Sequence, residues 1–245
     1  MDLLDAPLPD DARHPWEKAR YSFFANVLSR HAQSGQAYRV LDVGSGDGWF
    51  ARNLLRASPA MDVTCWDVNY PEGSREADGI HYRREKPTSL FDLLLMLDVL
   101  EHVEDDRAFL ADLIATNLAK GATVLFSVPA WQSMFSEHDR ALRHFRRYSP
   151  AQATNVLEGA GLRIVEKGGL FHSLLFPRAV SCGLERIGRG RPVSASEASA
   201  WDAPRWVTSV IDGVLALDGR VSRFASERGF SVPGLSFWAL AVNAK

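Results

Sequence analysis

A chain of 245 residues with 46% apolar content can bury a large core, and it reads most simply as a single domain. Its 28 basic and 30 acidic residues leave a net charge of −2, which argues against a general polyanion binder, so nucleic acid is not an expected partner. Two cysteines, Cys65 and Cys182, suggest neither a disulfide framework nor a zinc site, and a reducing, cytoplasmic setting fits them.

In chain order, MDLLDAPLPDD is acidic and lacks the basic and apolar regions of a secretion signal. Trp16, Phe23, Phe24, Val27 and Leu28 recur at helical spacing and predict an amphipathic helix over 15–31 that opens with Pro15. β-rich runs follow at 38–43, 62–66, 80–84, 91–97 and 122–128. Helical patterns lie between several of them, notably at 47–57 and at 105–119, the latter expected to close on Lys120 and Gly121. Such alternation implies a mostly parallel sheet covered on both faces. Ser149, Pro150 and Gln152 spell a capping box with proline at the first helical position, so a helix should begin there and end at Gly161.

LRIVEKGGLF and LSFWALAV, residues 162–171 and 235–242, supply the last strands. The stretch between them is helical in pattern and broken by RGRPVSASEASA. Its long helix would set Trp206, Val207, Val210, Ile211, Val214, Leu215, Val221 and Phe224 on one side, most simply as core. A lid, a dimer contact in a chain that is either monomer or homodimer, and, with Arg186, Arg189 and Arg191 nearby, a peripheral membrane contact are the other roles it suits. The strongest apolar runs, 93–97 and 237–242, fall far short of the roughly 20 residues that span a bilayer. The expected organisation is one domain: a helical region to residue 35, a ligand-binding core over 36–172, a helical insertion over 173–232 and a last strand over 233–245.

Residues 40–55, VLDVGSGDGWFARNLL, run from a buried-type strand through a glycine-rich turn into a helix. Glycines allow positive φ and close backbone approach, and the helix start offers unpaired N–H groups. Pyrophosphate sites use G-x-G-x-x-G, whereas Gly44, Ser45, Gly46, Asp47 and Gly48 give G-x-G-x-G after Asp42. Two carboxylates flanking the turn would repel a pyrophosphate but suit an ammonium and a sulfonium, the charges of S-adenosylmethionine. Asp67, at the end of the second strand, is placed to accept both ribose hydroxyls.

With these residues the sequence resembles the class I S-adenosylmethionine-dependent methyltransferases, across most of residues 14–172 plus the last strand. Asp42 through Gly48 match the family's D/E-x-G-x-G-x-G, Asp67 with Val68 its ribose-binding segment, and FDLLLMLDVLEHV, 91–103, its fourth strand and the turn beside the donor methyl, with Leu97, Asp98 and Val99 facing the cofactor. The resemblance implies an α/β, Rossmann-like sheet of seven strands with the last antiparallel, S-adenosylhomocysteine as the product, and a cofactor seated between strands one and four. The acidic residue usual near the adenine has no clear counterpart, since HYRREKPTS offers only Glu85.

Methyl transfer from a sulfonium needs positioning first and a base second. His102, just past the fourth strand, is either that base or a side chain packing the cofactor loop, and His138 and His144 follow in the next loop. Asp98, Glu101 and His102 with His138 also resemble the E-x-x-E-H metal constellation of ubiquinone-pathway and small-RNA 2′-O-methyltransferases, with aspartate first; a divalent ion there would acidify a hydroxyl. The loop SEHDRALRHFRRYSP follows strand five, where acceptors bind in this fold. If 140–147 is helical, Arg140, Arg143, His144 and Arg147 share a face. Arg143, Arg146 or Arg147 would clamp an acceptor carboxylate or phosphate, others would pair with Glu137 and Asp139, and Tyr148 adds an aromatic wall. Arg146 and Arg147 are expected to divide these two roles. The resulting expectation is methylation of a small or lipid-linked acceptor at oxygen. N-methylation, nucleic-acid methylation and a silent cofactor-binding module are the alternatives.

Overall fold

The computed structural model describes residues 13–31, 38–188 and 201–244. RGRPVSASEASA and the first twelve residues, with the expectations placed on them, lie outside that set. The N-terminal pattern forms α1, Pro15–His31, with the predicted bounds. Four parallel connections then build the sheet from β1 (Arg39–Val43), β2 (Asp62–Trp66), β4 (Ile80–Arg83), β5 (Phe91–Leu97) and β6 (Leu118–Pro129). Helices α2 (Trp49–Ala57) and α3 (Asp106–Asn117) are the crossovers after β1 and β5. The short α4 (Glu137–Ala141) and the capped α5 (Pro150–Gly159) lead to β7, Leu162–Leu170. Last come α6 (Leu175–Arg186), α7 (Arg205–Ser226) and β8 (Ser236–Asn243), which runs antiparallel between β6 and β7.

The sheet has eight strands, not seven, in the order β3-β4-β2-β1-β5-β6-β8-β7. The added strand is β3, Ser74–Ala77, antiparallel to β4 at one edge. Its cause is local: Asp78 and Gly79 take φ of 55° and 74°, the paired positive angles of a two-residue Asp-Gly hairpin. Helix α3 also ends earlier than expected. Asn117 donates to Pro87 O at 2.7 Å and Ser89 O at 3.1 Å, Leu118 already pairs with Phe91, and Lys120 and Gly121 fall inside β6.

Each face of the sheet carries its own core. One packs Leu110, Leu113 and Ile114 of α3 and Ala153, Val156 and Leu157 of α5 onto Leu41, Leu94 and Phe126. The other packs Phe23, Phe24 and Val27 of α1 and Phe50 and Leu54 of α2 onto Val40, Val63, Leu95 and Trp238.

Helix α7 departs from its expected role as core. It buries Leu215, Asp218, Ser222, Ala225 and Ser226, while Trp206, Val210, Val214, Val221 and Phe224 stay exposed. The buried polar groups are satisfied: Asp218 accepts from Ser173 Oγ at 2.6 Å, Ser222 Oγ donates to Gly169 O at 2.5 Å, and Ser226 Oγ donates to Glu166 at 2.7 Å.

At the junction of β7 with the turn before β8, a Cβ on Gly169 would lie 2.3 Å from Val232 O and 2.4 Å from Gly234 N. Backbone atoms on both sides leave no soft neighbour to give way, so Gly169→Ala should destabilise the fold by at least about 3 kcal/mol, read as a shift in urea midpoint at unchanged slope.

Candidate functional site

The glycine turn leaves β1 where the order of the parallel strands reverses, the usual place for a ligand in such a sheet. Gly44, Gly46 and Gly48 all have positive φ. At Gly44 the requirement is double, because a Cβ would also meet Val99 Cγ2 at 2.8 Å. The turn is braced by its surroundings: Gly46 N–H donates to Asp67 Oδ2 at 3.0 Å, Tyr70 OH donates to Gly46 O at 2.8 Å, and Ser45 Oγ lies 2.8 Å from the same hydroxyl.

A cavity of about 420 Å³ opens there. Gly44, Asp67, Val68 and Asn69 form one wall, and Asp98, Val99 and His102 another. Trp66, Val103 and Phe109 line it as well, with Trp66 and Phe109 stacked at 6.1 Å. Leu142, Arg143 and Phe145 enter from the loop after β6. The cavity thus joins the glycine turn to the arginine loop, although the two are about a hundred residues apart in the sequence. Non-glycine residues on its walls take left-handed backbone, Asp98 at φ 57° and Arg143 at φ 58°, a strain that concentrates at functional sites.

Of the expected cofactor residues, Gly44, Asp67, Val68, Asp98 and Val99 line this cavity, while Ser45, Gly46 and Gly48 shape the turn beside it. Leu97 belongs to the core. Asp42 is buried beneath the turn with Oδ2 unpartnered, and burial, reinforced by Asp67 and opposed by Arg20, raises its carboxyl to about 7. Asp47 departs from the expectation of a carboxylate facing an ammonium. It is consumed by Arg13, which is fully buried, by Arg52, and by capping the Trp49 N–H at 3.0 Å. Glu85 does not line the cavity, whose walls near Asp67 are instead built by Trp66, Asn69 and Phe109.

The arginine loop does not form the expected helix. Helix α4 stops at Ala141, Arg143 turns left-handed, and His144 N–H donates back to Asp139 O at 2.9 Å, so Arg140, Arg143, His144 and Arg147 share no helical face. Asp139, fully buried, organises the segment instead. It accepts Arg147 Nε at 2.7 Å, Arg178 Nη2 at 2.9 Å, Ser136 N at 3.0 Å and His144 Nδ1 at 3.1 Å. Burial alone would raise its pKa, but His144, Arg147 and Arg178 together hold it well below the ordinary carboxylate range. An ionised carboxylate can only accept, so His144 donates from Nδ1 to Asp139.

Arg147 is therefore buried ballast for Asp139 and not an acceptor clamp. Arg146 is likewise occupied, by Asp106 at 3.0 Å and the Glu104 carbonyl. Arg140 pairs with Glu137. Tyr148 is core: its hydroxyl donates to Asp106 at 2.7 Å, and it does not reach the cavity wall. His138 lies outside the cavity lining, its pKa lowered by burial and by Arg178. Among the described residues, Arg143 alone of this loop's arginines has no ion pair, and it lines the cavity. His102 lines it too and meets the edge of His144 at 4.5 Å between ring centroids.

The metal constellation changes membership. Among the described residues, Glu101, His102 and His144 place ligand atoms within 4.8 Å of one another, while Asp98 and His138 do not join them. Asp98 is held by Arg20 and by Ser127 Oγ at 2.9 Å. Glu101 is buried with Oε2 unpartnered, and burial, with Asp98 nearby, pushes its carboxyl well up. One carboxylate and two imidazoles are a donor set that divalent transition metals accept.

Arg20 is the residue that sequence reasoning missed. It reaches from α1 to pair with Asp98 on the cavity wall, stacks over Trp16 at 4.8 Å, and its charge is felt at Asp42 and Glu101. Its only signal was the four-residue spacing of Trp16 and Arg20 on one side of α1, a pattern equally suited to a solvated face.

Comparison with known proteins agrees with this geometry. A family model described as a methyltransferase domain matches residues 15–167. A ubiquinone biosynthesis O-methyltransferase, mitochondrial, of Arabidopsis thaliana is 21% identical over 196 residues, 65% of this chain; the chain spans 60% of that relative's length. A putative sarcosine dimethylglycine methyltransferase of Galdieria sulphuraria superposes with TM-score 0.57 at 14% identity, over 95% of this chain and 91% of that one. The putative methyltransferase seen with the Trm112 activator of Haloferax volcanii gives 0.54 at 16% identity, over 93% and 92%. At such identities the structural likeness is one of fold.

Removing the buried charge at the centre of the loop tests its role. Asp139→Asn leaves Arg147 and Arg178 buried without their counter-charge and should cost about 3–5 kcal/mol at neutral pH. Because the folded-state pKa of Asp139 is depressed, its contribution is present above the unfolded value of about 3.9 and is lost as pH falls below it; the wild type's stability advantage over the variant in urea melts should shrink through that acid range.

Proposed function

We propose, for a chain that belongs to the methyltransferase-domain family and is an S-adenosylmethionine-dependent methyltransferase, that the methyl group goes to an oxygen of a small hydroxylated acceptor carrying an anionic group. The observation that carries this reading is Arg143, the uncommitted guanidinium of its loop, on the same cavity wall system as His102. The charge around it leans the same way. The buried cluster behind it sets two guanidiniums, Arg147 and Arg178, against one carboxylate, Asp139. Such a surplus favours an anion nearby. The O-methyltransferase named among the relatives supports oxygen over nitrogen by analogy.

The residues that would hold the cofactor line the cavity: Asp67 would take the ribose hydroxyls, and Trp66, Asn69 and Phe109 would flank the adenine. The amino-acid end lies toward Gly44, Asp98 and Arg20, where Asp42 beneath the turn favours the ammonium. Arg20 would hold the cofactor's α-carboxylate, and Asp98, held by Ser127, its ammonium. Bound there, S-adenosylmethionine would supply a methyl group on a sulfonium, which would leave as a neutral thioether when an acceptor oxygen took the methyl carbon. The hydroxyl proton passes to His102. His144, oriented by Asp139 through Nδ1, stands behind it. Bringing the two reactants in line and excluding water supply the larger part of the acceleration.

A second reading is favoured by the Glu101, His102 and His144 group, which would hold a divalent ion that polarises the acceptor hydroxyl. We expect turnover and melting temperature to survive exhaustive chelation; their loss on chelation and recovery with manganese would select the metal instead.

Arg20→Ala should weaken S-adenosylhomocysteine roughly tenfold or more in calorimetric titration, the scale of a charge-assisted pair, while leaving 5′-methylthioadenosine, which lacks the amino-acid part, unaffected. Equal losses for both ligands would remove Arg20 from the carboxylate. On the acceptor side, Arg143→Lys should raise KM for hydroxylated carboxylates severalfold with KM for the donor unchanged, because a bidentate clamp is lost and charge kept. Neutral esters of the same acceptors should lose activity in the wild type. Turnover on amines only, salt-sensitive retention of RNA, or cofactor binding without turnover on any acceptor would each replace the oxygen reading with its corresponding alternative.

A further inference from the structure

The glycine turn and the loop after β2 are tied together by more than the pairing of their strands. Gly44 N–H donates to Trp66 O at 2.7 Å and Gly46 N–H to Asp67 Oδ2 at 3.0 Å, while the other oxygen of that carboxylate, Oδ1, accepts from Asn69 N–H at 2.9 Å. Tyr70 N–H donates to Asp67 O at 3.1 Å, which curls the loop and brings the Tyr70 hydroxyl to Gly46 O at 2.8 Å. Asp67 and Tyr70, three residues apart, thus fix both peptide units that flank the Cα of Gly46.

Counting hydrogens gives these bonds a direction. A carbonyl only accepts, so the single phenolic hydrogen of Tyr70 goes to Gly46 O. The Ser45 hydroxyl, 2.8 Å from the same phenol, is then the donor to it. Burial raises the pKa of the Tyr70 phenol, which keeps that hydrogen in place. Ser45, Tyr70 and Gly46 form one chain with one sense, in which each bond strengthens the next. The ring is held as well. Tyr70 meets the edge of Tyr82 on β4 at 5.5 Å between centroids, and Tyr82 Cε1 lies 2.9 Å from where a Cβ on Gly48 would stand. The second and third glycines of the turn therefore rest on a pair of tyrosines, one through a hydroxyl and the other through a ring. Neither tyrosine lines the cavity, so whatever they do for a ligand they do through the turn.

We infer that Tyr70 is a positioning residue for the cofactor: its hydroxyl holds the glycine turn, before any ligand arrives, in the shape that receives the amino-acid end of S-adenosylmethionine. The inference rests on the cofactor reading above and adds to it a physical link between the two ends of the ligand, since Asp67, on the same loop, is the ribose acceptor. What Tyr70 contributes is preorganisation. A glycine-rich segment has more conformational freedom to lose than any other, and a turn already fixed does not subtract that loss from affinity.

Tyr70→Phe keeps the ring and its contact with Tyr82 and removes only the hydroxyl. In calorimetric titration it should weaken S-adenosylhomocysteine roughly tenfold, the scale of two lost hydrogen bonds, and leave 5′-methylthioadenosine, which keeps the ribose but lacks the amino-acid part, within about twofold. Ser45→Ala removes the donor to the phenol and should weaken S-adenosylhomocysteine severalfold. The double variant should bind no more weakly than Tyr70→Phe alone, because both changes act through one chain. A purely structural role for the hydroxyl would lower the melting temperature without separating the two ligands. Equal losses for both ligands, an unchanged affinity for S-adenosylhomocysteine in either single variant, or additive losses in the double variant would overturn the inference and leave the cofactor reading standing. A wild type that binds neither ligand would overturn that reading and the inference with it.

Discussion

The acceptor side of this molecule depends on one buried carboxylate. Asp139 has no access to solvent and accepts hydrogen bonds from Arg147, Arg178, His144 and the Ser136 backbone, ties that span the loop after β6 and helix α6. A buried charge is costly unless its lone pairs are used, and here donors from Arg147, Arg178, His144 and Ser136 use them. The consequence is a rigid loop made from residues that would otherwise prefer water. Rigidity is what lets Arg143 hold a left-handed backbone at the cavity mouth and lets His144 keep one tautomer behind His102.

The cofactor side follows a different rule. There Arg20 with Asp98 is a partly exposed pair on the cavity wall, while Arg13 with Asp47 is sealed beneath α1 and stays as structure. The difference lies in burial, since the side chains of Arg20 and Asp98 are 14% and 26% exposed and that of Arg13 is 1%. Arg13, just ahead of α1, thus fastens the chain to the glycine turn, whereas Arg20, on the helix, pairs with a residue of the cavity wall.

What could be read in advance follows from how local each signal is. Asp42 through Gly48 were legible because strand, turn and helix are contiguous, and the capping box at Ser149 because it spans four residues. The Asp78-Gly79 hairpin carried an equally local signal and was overlooked beside the longer β-runs. The arginine loop was misread for the opposite reason. Its spacing suited a helix face, but the buried acceptor of those charges is fixed by Arg178, some forty residues downstream on α6, which no local pattern announces. Arg20 shows the same limit, since its partner Asp98 lies 78 residues away.

Helix α7 shows that periodicity locates an apolar stripe without saying which way it faces. The stripe was visible; its burial against the sheet did not follow. Direction was set by Asp218, Ser222 and Ser226, whose hydroxyl and carboxylate groups find partners on Ser173, on β7 and on its neighbour Trp238, and so anchor the opposite side of the helix inward. The polar inner face fixes the helix to β7 and to Ser173, and the bonds it makes there decide which way the apolar stripe points.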